Sequence, residues 1–202
     1  MIYYYKGDYR QGDVSVSLKS PSFRYGFGFF ETILYNEKVC HAEKHLTRLK
    51  NSLSDFGYEL PDIEYVGILE NLVEDNKLSG MSRLNIFTII ENGKAVPLLS
   101  AAEAAQTPDI YKLTIYTKEH RSYLSRYKTT NWMHFFLAKE YALKGGYDEA
   151  ALVSSENYIF EASAGTLLFK KDGRFFTTPS ENRLNSVSLD IAGEHLDIEE
   201  RD

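Results

Sequence analysis

The sequence predicts an α+β protein built in two lobes, and three features carry that reading. Apolar residues alternate along the first stretches, switch to a period near 3.6 from Ala42, and return to alternation at Arg83. An alanine-rich segment from Ala101 to Pro108 ends in Gln106-Thr107-Pro108 and divides the chain into lobes of residues 1–107 and 108–202. Fifteen tyrosines and twelve phenylalanines suit half-buried strand positions, so much of the sheet is expected to be antiparallel.

In order along the chain, Ile2 to Tyr5 and Asp13 to Leu18 read as short strands around a Gly7-Asp8 turn. Gly26 and Gly28 stand among aromatics and imply close backbone approach or positive φ. A strand from Phe29 then turns at Asn36-Glu37 into Lys38-Val39-Cys40. From Ala42, Leu46, Leu49, Leu53 and Phe56 share one helical face, with Gly57 placed as the residue just past the end. A second helix follows Pro61, carries Ile63, Val66, Leu69 and Val73, and ends at Ser79-Gly80. Arg83 to Ile90 is a strand that turns at Asn92-Gly93 toward Val96 to Leu99.

In the second lobe Ile110 to Thr117 alternates as a strand, and a polar, basic run from Lys118 to Arg126 leads to Lys128. A helix from Thr130 to Lys144 presents Trp132, Phe135, Phe136 and Tyr141 and stops at Gly145-Gly146. Strands at Glu149 to Val153 and Tyr158 to Phe160 flank a turn through Ser154-Ser155-Glu156-Asn157. A further hairpin joins Thr166 to Lys170 with Phe175 to Thr178 across Asp172-Gly173, and a short helix starts near Ser186 or Ser188.

Composition narrows the function classes. A formal charge of −6 disfavours a nucleic-acid or anionic-membrane surface. No apolar run reaches the roughly 18 residues that span a bilayer, and the N-terminus lacks the order of a secretory signal, so a cytoplasmic location is expected. The single cysteine, Cys40, is read as a small buried hydrophobe near a strand end, and no Cys/His spacing suggests a metal site. What remains is one amine, Lys128 before a helix, and one carboxylate, Glu161, entering a run of small residues between apolar strands. Taken alone, each has an ordinary reading as a solvated lysine or a strand carboxylate.

At least four ordered motifs change that balance. Tyr25-Gly26-Phe27-Gly28-Phe29-Phe30-Glu31-Thr32 is followed by His45-Leu46-Thr47-Arg48-Leu49. Lys128-Thr129-Thr130-Asn131 precedes Leu137-Ala138-Lys139, and Asp148-Glu149-Ala150 precedes Glu161-Ala162-Ser163. Together they resemble the fold-type IV, class IV aminotransferase superfamily, which includes branched-chain and D-amino-acid aminotransferases and aminodeoxychorismate lyase. The resemblance implies an α/β-sandwich-like N-terminal lobe, a β-rich, pseudo-barrel C-terminal lobe carrying the lysine, pyridoxal 5′-phosphate (PLP) between them, a small amino substrate and a homodimer. Family members continue through further strands beyond the point matching Glu199 to Asp202, so the expected C-terminal lobe is shortened.

Carried over by position, the resemblance makes Lys128 the Schiff-base lysine and the proton-transfer base at Cα, for which a neutral amine is required. Glu161 would face the pyridine nitrogen, and Arg48 would clamp the phosphate with its guanidinium fork. Val187 and Ser188 would offer backbone amides to the phosphate at the start of a late helix. Tyr25, Phe30 and Met133 are candidates for the substrate pocket, Asn131 and Thr166 for its support, and His45 is read as structural. Met133 stands where branched-chain members carry a tyrosine, and Glu91-Asn92-Gly93-Lys94 lacks the Arg-x-His pair of the D-amino-acid branch. Both subtractions favour an aminodeoxychorismate-lyase-like activity that eliminates pyruvate to give 4-aminobenzoate, a folate precursor. A class IV amino acid aminotransferase is the alternative within the family. A PLP-lacking homologue or fragment that serves as a binding or assembly module is the alternative outside catalysis.

Overall fold

The computed structural model describes residues 1–118, 122–154 and 156–201. The polar run from Lys118 to Arg126 and the turn through Ser155 fall partly outside the described residues, as does Asp202. The chain folds as two compact units: Met1–Thr107 with Lys128–Asn131, and Pro108–Tyr127 with Trp132–Asp202. The sequence division at Pro108 places the lysine segment in the second lobe. The structure groups it with the first, for reasons of backbone pairing given below.

The first unit is a six-stranded antiparallel sheet with helices. Its strands are β1 (Ile2–Tyr5), β2 (Asp8–Gln11), β3 (Gly28–Asn36), β4 (Lys38–Val39), β5 (Ser82–Glu91) and β6 (Lys94–Glu103), in the spatial order β2-β1-β6-β5-β3-β4. A five-residue helix α1 (Pro21–Tyr25) precedes β3, and α2 (Ala42–Asp55) and α3 (Tyr65–Asp75) follow β4. Burial alternates strictly along β5, with Leu84, Ile86, Thr88 and Ile90 inward, as expected for a sheet with one covered face. Helix α2 packs on β3, and α3 packs on β6 and β1. Phe29, Ile33, Leu49, Leu53, Leu69, Leu72 and Leu99 are essentially inaccessible to solvent and form the centre of this core.

Local chemistry sets the element ends. Gly57 takes φ 76°, and Tyr58 N–H and Gly57 N–H donate to Leu53 O and Ser54 O at 2.9 and 3.0 Å, a Schellman closure of α2. Helix α3 closes in the same way at Lys77 (φ 54°), several residues before the expected Ser79-Gly80 stop, because Lys77 itself enters the left-handed region. Asn92 and Gly93, both at positive φ, make the tight β5–β6 hairpin. Two strand expectations are corrected. The N-terminal hairpin turns at Lys6-Gly7, so β2 begins at Asp8, while 13–18 forms no strand and leaves Leu18 exposed. Strand β6 runs to Glu103, through alanines read as a linker, since β5 offers it partners out to Ser82. Cys40 follows β4 and is half-buried rather than buried.

The second unit contains β7 (Leu113–Tyr116), α4 (Met133–Lys144), β8 (Glu149–Val153), β9 (Ile159–Ala162), β10 (Phe169–Lys171), β11 (Arg174–Thr177), α5 (Val187–Gly193) and β12 (Ile198–Glu200). They form two three-stranded sheets, β7-β8-β9 and β10-β11-β12. The pairs β7–β8 and β11–β12 are parallel, which follows from the helices α4 and α5 that intervene in sequence. Tyr116, Phe135, Ala138, Ala142, Ala150 and Leu152 form a core between α4 and its sheet, with Trp132 packed against it. The small alanines let the helix sit close to the strands. Helix α4 starts at Met133, three residues later than expected, because Thr129 and Thr130 are drawn into β pairing.

Leu72→Ala removes an inaccessible side chain between α3 and the sheet. We expect it to lower the stability of the first unit by about 2–5 kcal/mol, read from the midpoint of urea unfolding.

Candidate active site

Lys128 is placed by backbone hydrogen bonding. Its carbonyl accepts from Phe30 N–H at 2.9 Å, Thr130 N–H donates to Gly28 O at 2.9 Å, and Thr129 bridges Phe29 in antiparallel sense. The segment thus adds a short strand to the outer edge of β3. The Thr130 hydroxyl fastens it again by donating to Gly26 O at 2.6 Å. The Gly-x-Gly spacing is what permits this approach. Gly26 adopts φ 64°, and a Cβ there would lie 3.0 Å from Asn131 Cα. A Cβ at Gly28 would lie 2.4 Å from Thr88 O, closer than any side chain tolerates.

The half-buried Lys128 places Nζ over the Phe30 ring, 4.5 Å from its centroid. Phe30 stacks on Phe87 with centroids 5.7 Å apart, so the lysine rests against an aromatic platform made by β3 and β5.

Glu31, the next residue along β3, projects to the opposite face and is 1% exposed. Arg48 Nε and Nη2 donate to its two carboxylate oxygens at 2.7 and 2.5 Å, and His45 Nδ1 lies 2.8 Å from Oε2. His45 and Arg48 are three residues apart on α2, which brings both to one face of the helix. Burial pushes the Glu31 carboxyl up, but the hydrogen bonds and charge of His45 and Arg48 outweigh it and hold it below the ordinary carboxylate value. Arg48 is therefore fixed by a buried carboxylate, a partner that the sequence reading had not given it. The signal was present in the motifs: an acid on a strand and two basic residues at i, i+3 on the following helix.

The second unit holds the other expected residues. Glu161 is buried on β9 opposite Leu152, while Thr166 is half-buried in the loop beyond. Ser186 caps α5 by accepting from Leu189 N–H at 3.2 Å, which puts Val187, buried, and Ser188, exposed, in the first turn. Met133 opens α4 and is 69% exposed. In the first unit, Tyr25 at the end of α1 and Asn131 beside Gly26 are both exposed. A polar cluster that sequence reasoning left unassigned holds Glu149. Lys139 Nζ donates to Glu149 Oε2 at 3.0 Å and to Asp148 O at 2.5 Å, and the Ser163 hydroxyl donates to Glu149 Oε1. Ser163 N–H also donates to Ala150 O at 2.9 Å, so this cluster pins the chain as it leaves β9, two residues after Glu161.

Among the described residues no group of His, Cys, Asp and Glu could hold a metal ion, and no helix is long and apolar enough to cross a membrane. In the first unit Lys128 supplies an amine and Arg48 a planar cation; in the second unit Glu161 supplies a buried carboxylate.

Two predictions test this geometry. Gly28→Ala must displace Thr88 or the lysine segment, and we expect stability to fall by about 2 kcal/mol or more, with the rate of Lys128 modification by an amine-reactive probe altered. Because Glu31 is depressed on folding, its contribution is complete above the ordinary carboxylate value of 4.5 and drains as pH falls through the lower folded value. Glu31→Gln should therefore flatten the acid limb of the stability curve, as read by thermal unfolding from pH 7 downward.

The model of the family described as "Amino-transferase class IV" matches residues 28–202. A probable branched-chain-amino-acid aminotransferase of Aquifex aeolicus is 28% identical over 87% of this chain and 65% of its own length. A branched-chain-amino-acid aminotransferase of Pseudomonas aeruginosa is 24% identical over 96% of this chain and 73% of its own. The chain thus spans just under two thirds of the Aquifex relative. In fold it is similar to the branched-chain aminotransferase of Thermoproteus uzoniensis solved with norvaline, with a TM-score of 0.84 and 21% identity over 98% of this chain and 76% of that one. A hypothetical aminotransferase from Mycobacterium tuberculosis, in its α-ketoglutarate- and PMP-bound form, has a TM-score of 0.84 and 17% identity over 100% of this chain and 81% of that one. By the family match, and with Lys128 and Glu161 both inside it, this chain belongs to the class IV amino-transferase family.

Proposed function

We propose that the chain carries the PLP site of an amino acid aminotransferase, with small apolar amino acids of the branched-chain type as the amino donors and a second copy of the chain as its partner. The observation that carries this reading is the fixed lysine: Lys128 is held by β pairing through its own carbonyl and the two residues that follow, against the Phe30–Phe87 platform. The naming of the curated relatives as branched-chain aminotransferases supports the choice of activity over the lyase expected from the sequence. Met133, on which that expectation leaned, is 69% exposed and makes a weak basis for excluding transamination.

Bound PLP supplies an electron sink for charge developing at the substrate Cα. The chain's own groups do the rest. Lys128 would attach the cofactor through its amine and, once released by substrate, would take the proton from the substrate Cα. Glu161, buried on β9, holds a proton on the ring nitrogen. Arg48 would bind the phosphate, and the family resemblance gives the same role to the first-turn amides of Val187 and Ser188 in the second unit. Phe30 shields the lysine from water and contributes apolar surface to the substrate side.

Purified protein with added PLP should develop a visible absorbance band that borohydride abolishes and that Lys128→Ala lacks. Failure to bind PLP would overturn the reading. With leucine and 2-oxoglutarate we expect glutamate; release of pyruvate from aminodeoxychorismate without any glutamate would return the assignment to the lyase.

A further inference from the structure

The segment 13–18, which joins no sheet, runs past the end of β5 and leaves a cavity of about 390 Å³ within the first unit. It is tied down on both sides: the Tyr3 hydroxyl donates to Asp13 O at 2.9 Å, and the buried Ser20 hydroxyl donates to Ile90 O at 2.7 Å. Ser15, Ser17 and Lys19 line the cavity, while Val14 and Leu18, at the alternate positions, are 38% and 74% exposed. Burial alone would turn a Val/Ser alternation the other way, with its apolar residues inward. The facing wall is made by Lys6 at the β1–β2 turn and by Glu91 and Asn92 at the end of β5. Glu91, 10% exposed at its side chain, accepts from Lys6 Nζ at 2.7 Å and from the Tyr5 hydroxyl at 3.0 Å. Burial pushes its carboxyl up, but these bonds, the charge of Lys6 and the Ser17 backbone outweigh it and hold it below the ordinary carboxylate value. Lys6 therefore balances Glu91. Lys19 has no acidic partner among the described residues, and its ammonium is the charge left over.

We infer that this cavity is an anion site for a small phosphate monoester: Lys19 and the hydroxyls of Ser15 and Ser17 meet the phosphate, and Asn92 meets the hydroxylated body attached to it. The Ser17 hydroxyl already accepts from Lys19 N–H at 3.2 Å, which leaves its proton to donate. Lysines and hydroxyls, rather than an arginine fork, line the wall, and such point donors suit the tetrahedral oxygens of a phosphate better than the plane of a carboxylate. The volume falls at the small end of ligand pockets, enough for a phosphorylated metabolite of a few carbons. None of the residues assigned to PLP lies on this wall, so the inference stands apart from the roles of Lys128 and Arg48.

The test titrates glycerol 3-phosphate into the isotope-labelled full chain and follows the backbone amide signals by NMR. We expect the amides of Ser15, Ser17, Lys19 and Asn92 to shift together along one saturating curve. Lys19→Ala should weaken that binding about tenfold, the loss of one charge-assisted contact. Lys19 is exposed, so its removal leaves the fold intact. Lys50→Ala removes an exposed charge from α2, outside the cavity, and should leave the affinity unchanged. The absence of any shift at those four amides overturns the inference, whatever moves elsewhere. Equal weakening by Lys19→Ala and Lys50→Ala overturns it too, because the effect would then be one of net charge. Succinate provides the last comparison: binding at the same amides as tight as that of glycerol 3-phosphate would overturn the assignment to a phosphate, and weaker binding supports it.

Discussion

The first unit depends on the approach of one short backbone segment to the outer edge of β3. Hydrogen bonds from Phe30 N–H to Lys128 O and from Thr130 N–H to Gly28 O fix the lysine within a strand register rather than on a loop. Register is a strict constraint: a slip of one residue would turn Lys128 to the opposite face and Thr129 away from its buried position. Gly26 makes the approach possible, since a Cβ there would meet Asn131 Cα at 3.0 Å, while a Cβ at Gly28 would strike Thr88 O of β5 at 2.4 Å. Thr88 reinforces the same point from inside, its buried hydroxyl bonding both the amide and the carbonyl of Phe29 at 3.0 Å.

Each unit also solves the problem of a buried carboxylate in the same way. Glu31 is neutralised by Arg48 with His45 as a second partner, and Glu149 by Lys139 with the Ser163 hydroxyl. In both, the acid lies on a strand and the cation on a helix packed against it, so the ion pair fixes helix against sheet. Removing one partner would strand a buried charge at a cost of about 3–5 kcal/mol, whereas replacing both by apolar groups would cost far less. These pairs therefore contribute to geometry more than to net stability.

The sequence was informative where local chemistry decides the outcome. The Asn92-Gly93 hairpin, the Gly57 helix stop, the amphipathic α2 and the alternation in β5 follow from turn preferences and periodicity, and the structure agrees with each. It was silent where a distant partner decides. Val14, Val16 and Leu18 alternate as a strand should, yet find no neighbour, while Ala101 and Ala102 look like a linker but pair with Leu84 and Arg83. Trp132 would sit inside a helix begun at Thr130, but pairing with a strand about a hundred residues earlier keeps Thr130 extended. The motifs single out Lys128, Arg48 and Glu161 as the expected site residues. They did not reveal that Arg48 would already be engaged by Glu31, because that contact requires α2 to be docked on β3.

Phe30 and Glu31 are successive residues on one strand, so Lys128 and Arg48 are held on opposite faces of β3. Two groups so placed can serve one ligand only where the faces communicate, which is along the strand's outer edge. That edge is closed at one end by the pairing of Gly28 and Phe30 with the lysine segment. At the other it is closed by β4 and by the hydrogen bond from Cys40 N–H to Leu34 O. Between the two closures lies the stretch Glu31 to Ile33, and the alternation of the strand turns the Thr32 amide and carbonyl outward there. The side chain of Thr32 is held on the other side by Asn85 Nδ2 at 2.9 Å, so this portion of the edge is rigid. A ligand held by both Arg48 and Lys128 would have to bridge this short length of β3.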